Sequence, residues 1–448
     1  MSQANGGLQL AAVGGVTVAR VAAAEIAGDL RGGEMLDSSF ERRTTELDAR
    51  DRRWLRELVY GMLRQRGWID AILAERVRGG VARIDSDLLD LMRLGVYQLL
   101  HMGSVPAYAA IAQTVELAKV RHGIGASKLM NAVLRRIDRE RAELVVPVPE
   151  DLVDALAVKY SHPRWLVGRW LSRWGEEAAS VLMMKNNAEA PVVIRPYGIV
   201  REQLEAMLEA AGVSIEDAPL ARESIQITGG ISLTELGAFK QGLFFVQDPG
   251  STLVTQYAAI PHGSVVADLC AAPGGKSLEL TRTARSVIAC DRSAQRLKRL
   301  VDNRARLEAL NLHVAVADAR QPTIREMDAV LVDVPCTGTG TFRRHPDARW
   351  RLRISDLSVM AALQAVILRS AASTVRRGGL LIYSTCSLEP EENDAQVEEF
   401  LARNPAWVLD PPAEGVVPAE AIDRGFLRVL PHVHGSDGAF AARLRRRE

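Results

Sequence analysis

Cysteine is scarce in this chain: four residues in 448, with no Cys-x-x-Cys pair. That excludes a disulfide framework and argues against a zinc site, so no metal is expected. Lysine is nearly as scarce, with 7 of the 56 basic residues, the other 49 being arginine. The formal net charge of +1 hides this imbalance. Codon bias accounts for most such arginine, but a guanidinium suits planar, two-pronged contact with phosphate, so where arginines cluster matters more than their sum. Long apolar runs are missing too. No stretch approaches the ~18 uninterrupted apolar residues of a membrane helix. The opening MSQANGGLQLAAVGG has neither the basic segment nor the compact apolar core of a signal peptide. A cytoplasmic enzyme without membrane contact is expected. The hydrophobic share of 48% and charged share of 25% exclude disordered and fibrous chains. The length allows two to four domains at roughly 100–200 residues each.

Residues from Val16 to Ile137 read as helices almost throughout. LDARDRRWLRELVYGMLRQRGWIDAIL places Trp54, Leu55, Leu58, Val59, Met62 and Leu63 at helical spacing. LLDLMRLGVYQLLHM repeats the pattern, and Pro106 stands near the next helix start. An all-α domain over residues 1–140 follows. Over 141–245 the pattern changes: RWLVGRWLSRWGEEAASVLMMKNN reads as a linker helix, followed by short strands around APVVIRPY, SIQITG and LFFVQ with one helix among them. That alternation suggests a small α+β module. Over 246–448, SVVADL, SVIAC, LHVAVA, DAVLVD and GLLIYS are short apolar runs separated by helical segments. They predict a doubly wound α/β domain, whose ligands sit outside the carboxyl ends of its strands. Cys270, Asp291, Asp318, Asp333 with Cys336, and Cys386 stand at those five ends.

The first strand runs into Cys270-Ala271-Ala272-Pro273-Gly274-Gly275-Lys276-Ser277. A glycine-rich turn into a helix exposes backbone N–H groups to an anion. Two readings compete. Gly275-Lys276-Ser277 fits the end of a phosphate-binding loop, but the first glycine of that pattern falls on Cys270, whose side chain would crowd a phosphate. The alternative is a nucleoside cofactor gripped by carboxylates. Asp291 lies seventeen residues after Gly274, near the ~20 expected for an acid on ribose hydroxyls. Asp318 ends the third strand, where it could accept from an adenine amine. S-adenosyl-L-methionine needs that set. A lone acid after a strand is ordinarily a helix N-cap; two in register with a glycine loop are less ordinary.

Cys290, ending an apolar strand, reads as a small buried hydrophobe. Cys336 and Cys386 instead follow strands into Gly-, Ser- and Thr-rich loops. A helix beginning near Glu389 and the basic run FRRHPDARWRLR are candidates for lowering a thiol pKa there. A thiolate beside a methyl donor suits C5 methylation of a pyrimidine. Carbon 5 of cytosine is too weakly nucleophilic until a thiolate adds at C6, and an acid near N3 or N4 assists. Asp333 stands where that acid belongs.

In order and spacing, DLCAAPGGKS, DRS, Asp318, DVPCTGTGTFRRHPD and YSTCSLEPEEN resemble the motifs of RNA cytosine-C5 methyltransferases. LPHVHGSDGAFAARL is similar to that family's C-terminal hairpin, and VPAYAAIAQTVELAKVRHGIGASKLMNAVLRRI resembles the NusB-type RNA-binding fold. The bacterial small-subunit rRNA branch combines both. The middle module departs from it, with RPY where RVN is expected. The resemblance implies an all-α NusB-like domain, a small α+β module and a class I, Rossmann-like methyltransferase domain. It also implies S-adenosyl-L-methionine as cofactor, held by Cys270 through Lys276 with Asp291, Asp318 and Asp333. Asp333 is left serving cofactor, base or both. Cys386, of the Thr-Cys motif, is implied as the nucleophile and Cys336, of the Pro-Cys motif, as the aid to product release. The implied partner is RNA, 16S rRNA in this branch, and a monomer is expected.

Arg343 to Arg353 hold five arginines and one aspartate, with His345 and Trp350 between them. Such a run is ordinarily a solvated loop. Its place after Cys336 suggests phosphate contacts and a base stacked on Trp350. The closing ARLRRRE reads as a polar tail or a source of nonspecific attraction. Three function classes stay open: the RNA methyltransferase, possible on tRNA or 23S rRNA as well; a nonenzymatic RNA-binding assembly factor; and a P-loop NTPase.

Overall fold

A computed structural model describes residues 14–448 and divides the chain into two compact units. One is built from residues up to Ala188 together with Arg344–Arg351; the other is Glu189–Arg343 with Leu352–Glu448.

The first unit is helical, with helices at Val18–Arg31, Leu36–Arg43, Ala49–Arg76, Ser86–His101, Ala107–Glu140, Leu152–Tyr160 and Arg164–Asn187. Their starts are written in the sequence. Asp48 accepts from the Asp51 amide, Asp85 from those of Asp87 and Leu88, and Asp151 from that of Asp154. Each satisfies amides that a first helical turn leaves without partners. Leu55, Leu58, Val59, Met62 and Leu63 join Ile26, Leu91, Val96 and Leu134 in one core. Each such side chain contributes about 1.5–3 kcal/mol on burial. Gly123 bends the long fifth helix with φ of 82°, a conformation glycine enters without a Cβ penalty. The helix expected to lead into the middle module, Arg164–Asn187, packs instead on Ala49–Arg76 and Leu152–Tyr160. The helical unit therefore continues past residue 140 to Ala188.

The second unit opens with an antiparallel sheet of β1 (Val192–Pro196), β2 (Ser214–Asp217), β3 (Ile225–Thr228) and β4 (Phe244–Val246), in the order β2-β3-β1-β4. Leu204 and Leu208 of the helix Arg201–Ala210 bury against it with Ile194, Ile225 and Phe244. This is the small α+β module.

The large sheet follows. β5 (Val265–Asp268), β6 (Ser286–Asp291), β7 (Leu312–Val316), β8 (Met327–Asp333) and β9 (Val375–Thr385) run parallel in the order β7-β6-β5-β8-β9. β10 (Trp407–Leu409), β11 (Ile422–Asp423), β12 (Phe426–Val429) and β13 (Ala439–Arg446) extend it antiparallel, with β13 against β9. Val266, Ala329, Leu331 and Ile382 lie in one core and Ala267, Val330, Val332 and Leu381 in another. With both faces covered, these strands read as continuous apolar runs. The order reverses at β5, with β6 on one side and β8 on the other, and that switch opens a crevice at the strand ends.

The closing ARLRRRE is no tail. Arg443 and Arg445, in β13, both bond to Asp410, and the Arg443 guanidinium is buried inside the fold. Among the described residues no helix is long and apolar enough to cross a membrane.

Candidate active site

β5 ends at Asp268, two residues before Cys270, so the acid and not the thiol stands at the strand end. Asp268 is fully buried, accepting from Ser277 Oγ at 2.6 Å and the Cys270 amide at 3.3 Å. Burial pushes its carboxyl up to about 7. The Cys270 thiol is likewise pushed up by burial, which removes it as a nucleophile. The turn ends at Gly274, with φ of 116°, where a Cβ would lie 2.4 Å from Leu300 Cδ1. The helix Gly275–Leu280 begins there.

Asp291 ends β6 and is buried. Its Oδ2 accepts from the Ala272 amide at 3.3 Å and its Oδ1 from the Ser293 amide at 2.9 Å, so it braces the glycine loop. Asp318, two residues past β7, is 36% exposed, and hydrogen bonds from Arg320 pull its carboxyl down to about 2. Beside it Leu269, Cys290, Ala319, Pro322 and Ile324 line a small apolar depression. Cys290 is packing, as its strand position suggested; burial pushes its thiol up to about 11. At the end of β8, Asp333 accepts from Lys276 Nζ at 2.7 Å and Ser384 Oγ at 2.8 Å. Burial works to lower the Lys276 pKa, but the Asp333 carboxylate outweighs it and holds the ammonium above its ordinary value.

β8 and β9 are parallel neighbours with Asp333 opposite Ser384. Three residues past the end of β8 and one past the end of β9, Cys336 and Cys386 therefore meet, with 3.4 Å between their Sγ atoms. The hydrogen bond to the Cys386 sulfur, with burial, pushes the Cys336 thiol well up. The helix expected near Glu389 starts later: one 3-10 turn, Pro390–Glu392, precedes the helix Asp394–Arg403.

The loop fits an anionic end of a nucleoside cofactor. Gln247 is buried and its Oε1 accepts from Thr252 Oγ1 at 3.0 Å, while its Nε2 has no partner among the described residues. A Cβ on Gly275 would come within 3.1 Å of that Nε2. An unmet buried donor costs about 1–3 kcal/mol, which an incoming carboxylate would recover.

Family models match the chain in three places: a 16S rRNA methyltransferase RsmB/F model over residues 257–445, a NusB family model over 17–139, and a Methyltr_RsmF/B-like ferredoxin-like domain over 162–234. A probable ribosomal RNA small subunit methyltransferase B from Synechocystis sp. is 32% identical over 88% of this chain and 91% of its own length. The ribosomal RNA small subunit methyltransferase B of Vibrio vulnificus is 34% identical over 88% and 94%. The crystal structure of PH0851 superposes with a TM-score of 0.79 at 28% identity, covering 95% of this chain and 97% of that one. The chain belongs to the RsmB/F methyltransferase family.

In this RsmB/F family member the RPY departure has a structural use. Arg195 is 2% exposed and donates to Glu279 Oε1 at 2.7 Å, and Tyr197 shares a hydrogen bond with Thr281 Oγ1 at 2.8 Å. Glu279 lies on the helix that opens at the glycine-rich loop, so the module braces that helix.

The run Arg343 to Arg353 departs most from expectation. Residues 344–351 fold with the helical unit. Arg349 is fully buried, donating to Asn187 Oδ1 at 2.7 Å and Asn186 O at 3.0 Å. Trp350 donates to Leu63 O at 2.8 Å and carries Arg66 over its ring at 5.3 Å, so it is packing rather than a stacking platform. Arg343 donates to Glu189 O at 2.9 Å and Arg351 pairs with Asp347 at 3.0 Å. The groups that sequence reasoning missed are Asp268, Gln247 and Glu392. Only Asp268 left a signal, as the acid closing SVVAD.

Proposed function

We propose that this chain transfers a methyl group from S-adenosyl-L-methionine to carbon 5 of a cytosine in 16S rRNA, through a covalent bond between Cys386 and C6. The observation that carries the reading is the Cys336–Cys386 pair, 3.4 Å apart beyond neighbouring parallel strands. Its support is the family membership and the relatives' description as small-subunit rRNA methyltransferases.

S-adenosyl-L-methionine, when bound, supplies an electrophilic methyl group. The backbone N–H groups from Cys270 to Lys276 and the free Gln247 amide would hold its carboxylate end. Asp291 and Asp318 would take the ribose and the adenine. Asp333, bonded to the Lys276 ammonium, serves the ring N3 and exocyclic amine as the acid–base group. Cys386 adds to C6 and makes C5 enamine-like. With the methyl group on C5 and S-adenosyl-L-homocysteine as the other product, a base takes the C5 proton, the C–H electrons re-form the C5–C6 double bond, and the C6–S bond breaks with Cys386 leaving as thiolate. Cys336, the neighbouring thiol, assists that release. Because the target base must leave its stack to reach Cys386, a loop or junction in RNA is favoured over perfect duplex.

The test is methyl transfer from radiolabelled cofactor to 16S rRNA, with bisulfite sequencing of RNA from a deletion strain. A single protected cytosine in 16S rRNA that disappears on deletion is the expected result. Protection lost from tRNA or 23S rRNA instead would move the substrate. No transfer to any RNA would favour a nonenzymatic assembly factor.

A further inference from the structure

The two cysteine loops share one carboxylate. Glu392 is fully buried and has no salt-bridge partner among the described residues. Its Oε1 accepts from the Thr337 amide at 2.9 Å and from Gln364 Nε2 at 2.9 Å. Its Oε2 accepts from the hydroxyls of Thr337 and Ser387. Thr337 directly follows Cys336, and Ser387 directly follows Cys386. Gln364 Nε2 also donates to the carbonyl of Pro335, just before Cys336, at 2.9 Å. One side chain is thus tied to both flanks of Cys336 and to the residue after Cys386. Glu392 itself is held by Tyr383, whose hydroxyl donates to the Glu392 carbonyl at 2.6 Å.

A carboxylate can accept from all four groups at once, whereas a glutamine would turn an NH₂ group toward some of them. Burying such a charge without a cation costs several kcal/mol before its hydrogen bonds are counted. A fold needing only a rigid loop could fill this place with apolar packing.

We infer that Glu392 is a positioning residue: its carboxylate sets the spacing and orientation of the Cys336 and Cys386 thiols. The inference rests on the reading of these thiols as the reacting groups. A charge on Glu392 also acts with burial to push the Cys336 thiol up.

The experiment uses the full chain carrying Glu392→Gln, with Thr337→Val as a milder second variant. Iodoacetamide alkylation of each cysteine is followed by peptide mass spectrometry across pH, beside kcat, KM for RNA and cofactor affinity. In the wild type Cys336, its thiol pushed up by burial and by the hydrogen bond to Cys386, should alkylate about tenfold more slowly than Cys386. In Glu392→Gln the two rates should converge. Cofactor affinity and KM should stay near wild type while kcat falls about 100-fold, the scale of an ångström of misplacement. An unchanged alkylation ratio overturns the inference, whether kcat falls or not, because lost stability alone would not alter the selectivity. If Glu392→Gln does not fold, Thr337→Val should give partial convergence, and an unchanged ratio there overturns it equally. Converging rates in a protein whose wild type methylates no cytosine would sink the reaction and leave the positioning role standing.

Discussion

The strand ends of the large sheet and the helical unit both hold dense polar side chains, but they commit them differently. At the sheet edge Asp333 and Asp318 keep about a third of their side-chain surface exposed, at 33% and 36%. The two thiols there lie 3.4 Å from each other. In the helical unit polar groups are consumed by one another. Arg93 binds Asp70 and Asp90, Arg43 binds Asp29, and Arg349 is taken up by carbonyls and amides. A strand end stops its hydrogen-bond ladder and projects side chains into a crevice. A helix face presses its side chains against the next helix. Chemistry collects at the first and architecture at the second.

The largest effect that would sharpen this contrast is at Cys386. Cys386→Ala should bind RNA and cofactor yet lose methyl transfer about 10⁴-fold or more, the scale for removing a nucleophile. It should also form no adduct with RNA carrying 5-fluorocytosine. Cys336→Ala should instead accumulate a protein–RNA adduct on ordinary cytosine, visible on denaturing gels. The reverse pattern would exchange the two roles.

Next comes Arg349, whose removal strands buried acceptors. Arg349→Ala should lower unfolding stability by about 3 kcal/mol, read as a urea midpoint shift, and leave the salt dependence of RNA binding unchanged. Unchanged stability with a salt slope reduced by about one would show an RNA contact and dissolve the contrast.

The two regions should also answer pH with opposite signs. Folded Asp268 holds its proton up to about 7, where the unfolded chain releases it near 3.8. Its stabilising contribution is full below 3.8 and is lost as pH rises through about 7. Asp268→Asn should flatten that fall in urea titrations between these values. Asp37, in the helical unit, runs the other way: burial raises its pKa, but hydrogen bonds from His345 and Tyr60 outweigh it and bring it to about 2. Its contribution is present above 3.8 and fades as pH falls through about 2. A sloped curve in Asp268→Asn would mean another group carries the effect.

The smallest effect belongs to Arg353, an exposed guanidinium of the basic run. Arg353→Ala should weaken RNA binding about two- to threefold at low salt and not at high salt. No change at low salt would remove this arginine from the interface too.

Much of the layout was legible in the sequence. Apolar stripes at helical spacing gave the helical domain, because a helix face that must be buried leaves a period behind. SVVADL, SVIAC and DAVLVD gave the central strands, because strands buried on both faces have no polar alternation to hide them. The glycine-rich turn after β5 was visible as Gly274-Gly275, and the structure gives the reason: a Cβ at Gly274 would strike Leu300.

What the sequence by itself determined, then, were local constraints: where helices begin, which runs are strands, and which acids and thiols stand beyond strand ends. The tertiary structure decided the rest. It carried residues 344–351 into the helical unit, turned ARLRRRE into an internal strand, and spent Arg195 on Glu279. It also brought Cys336 within 3.4 Å of Cys386, because two parallel strands happen to be neighbours in register. It set Glu392 beneath both loops, bonded to the residue after each cysteine. Periodicity and loop chemistry act between residues close in the chain and leave a trace in its order. The partner of an arginine, or of a thiol fifty residues away, is fixed only when distant segments compete for the same buried space.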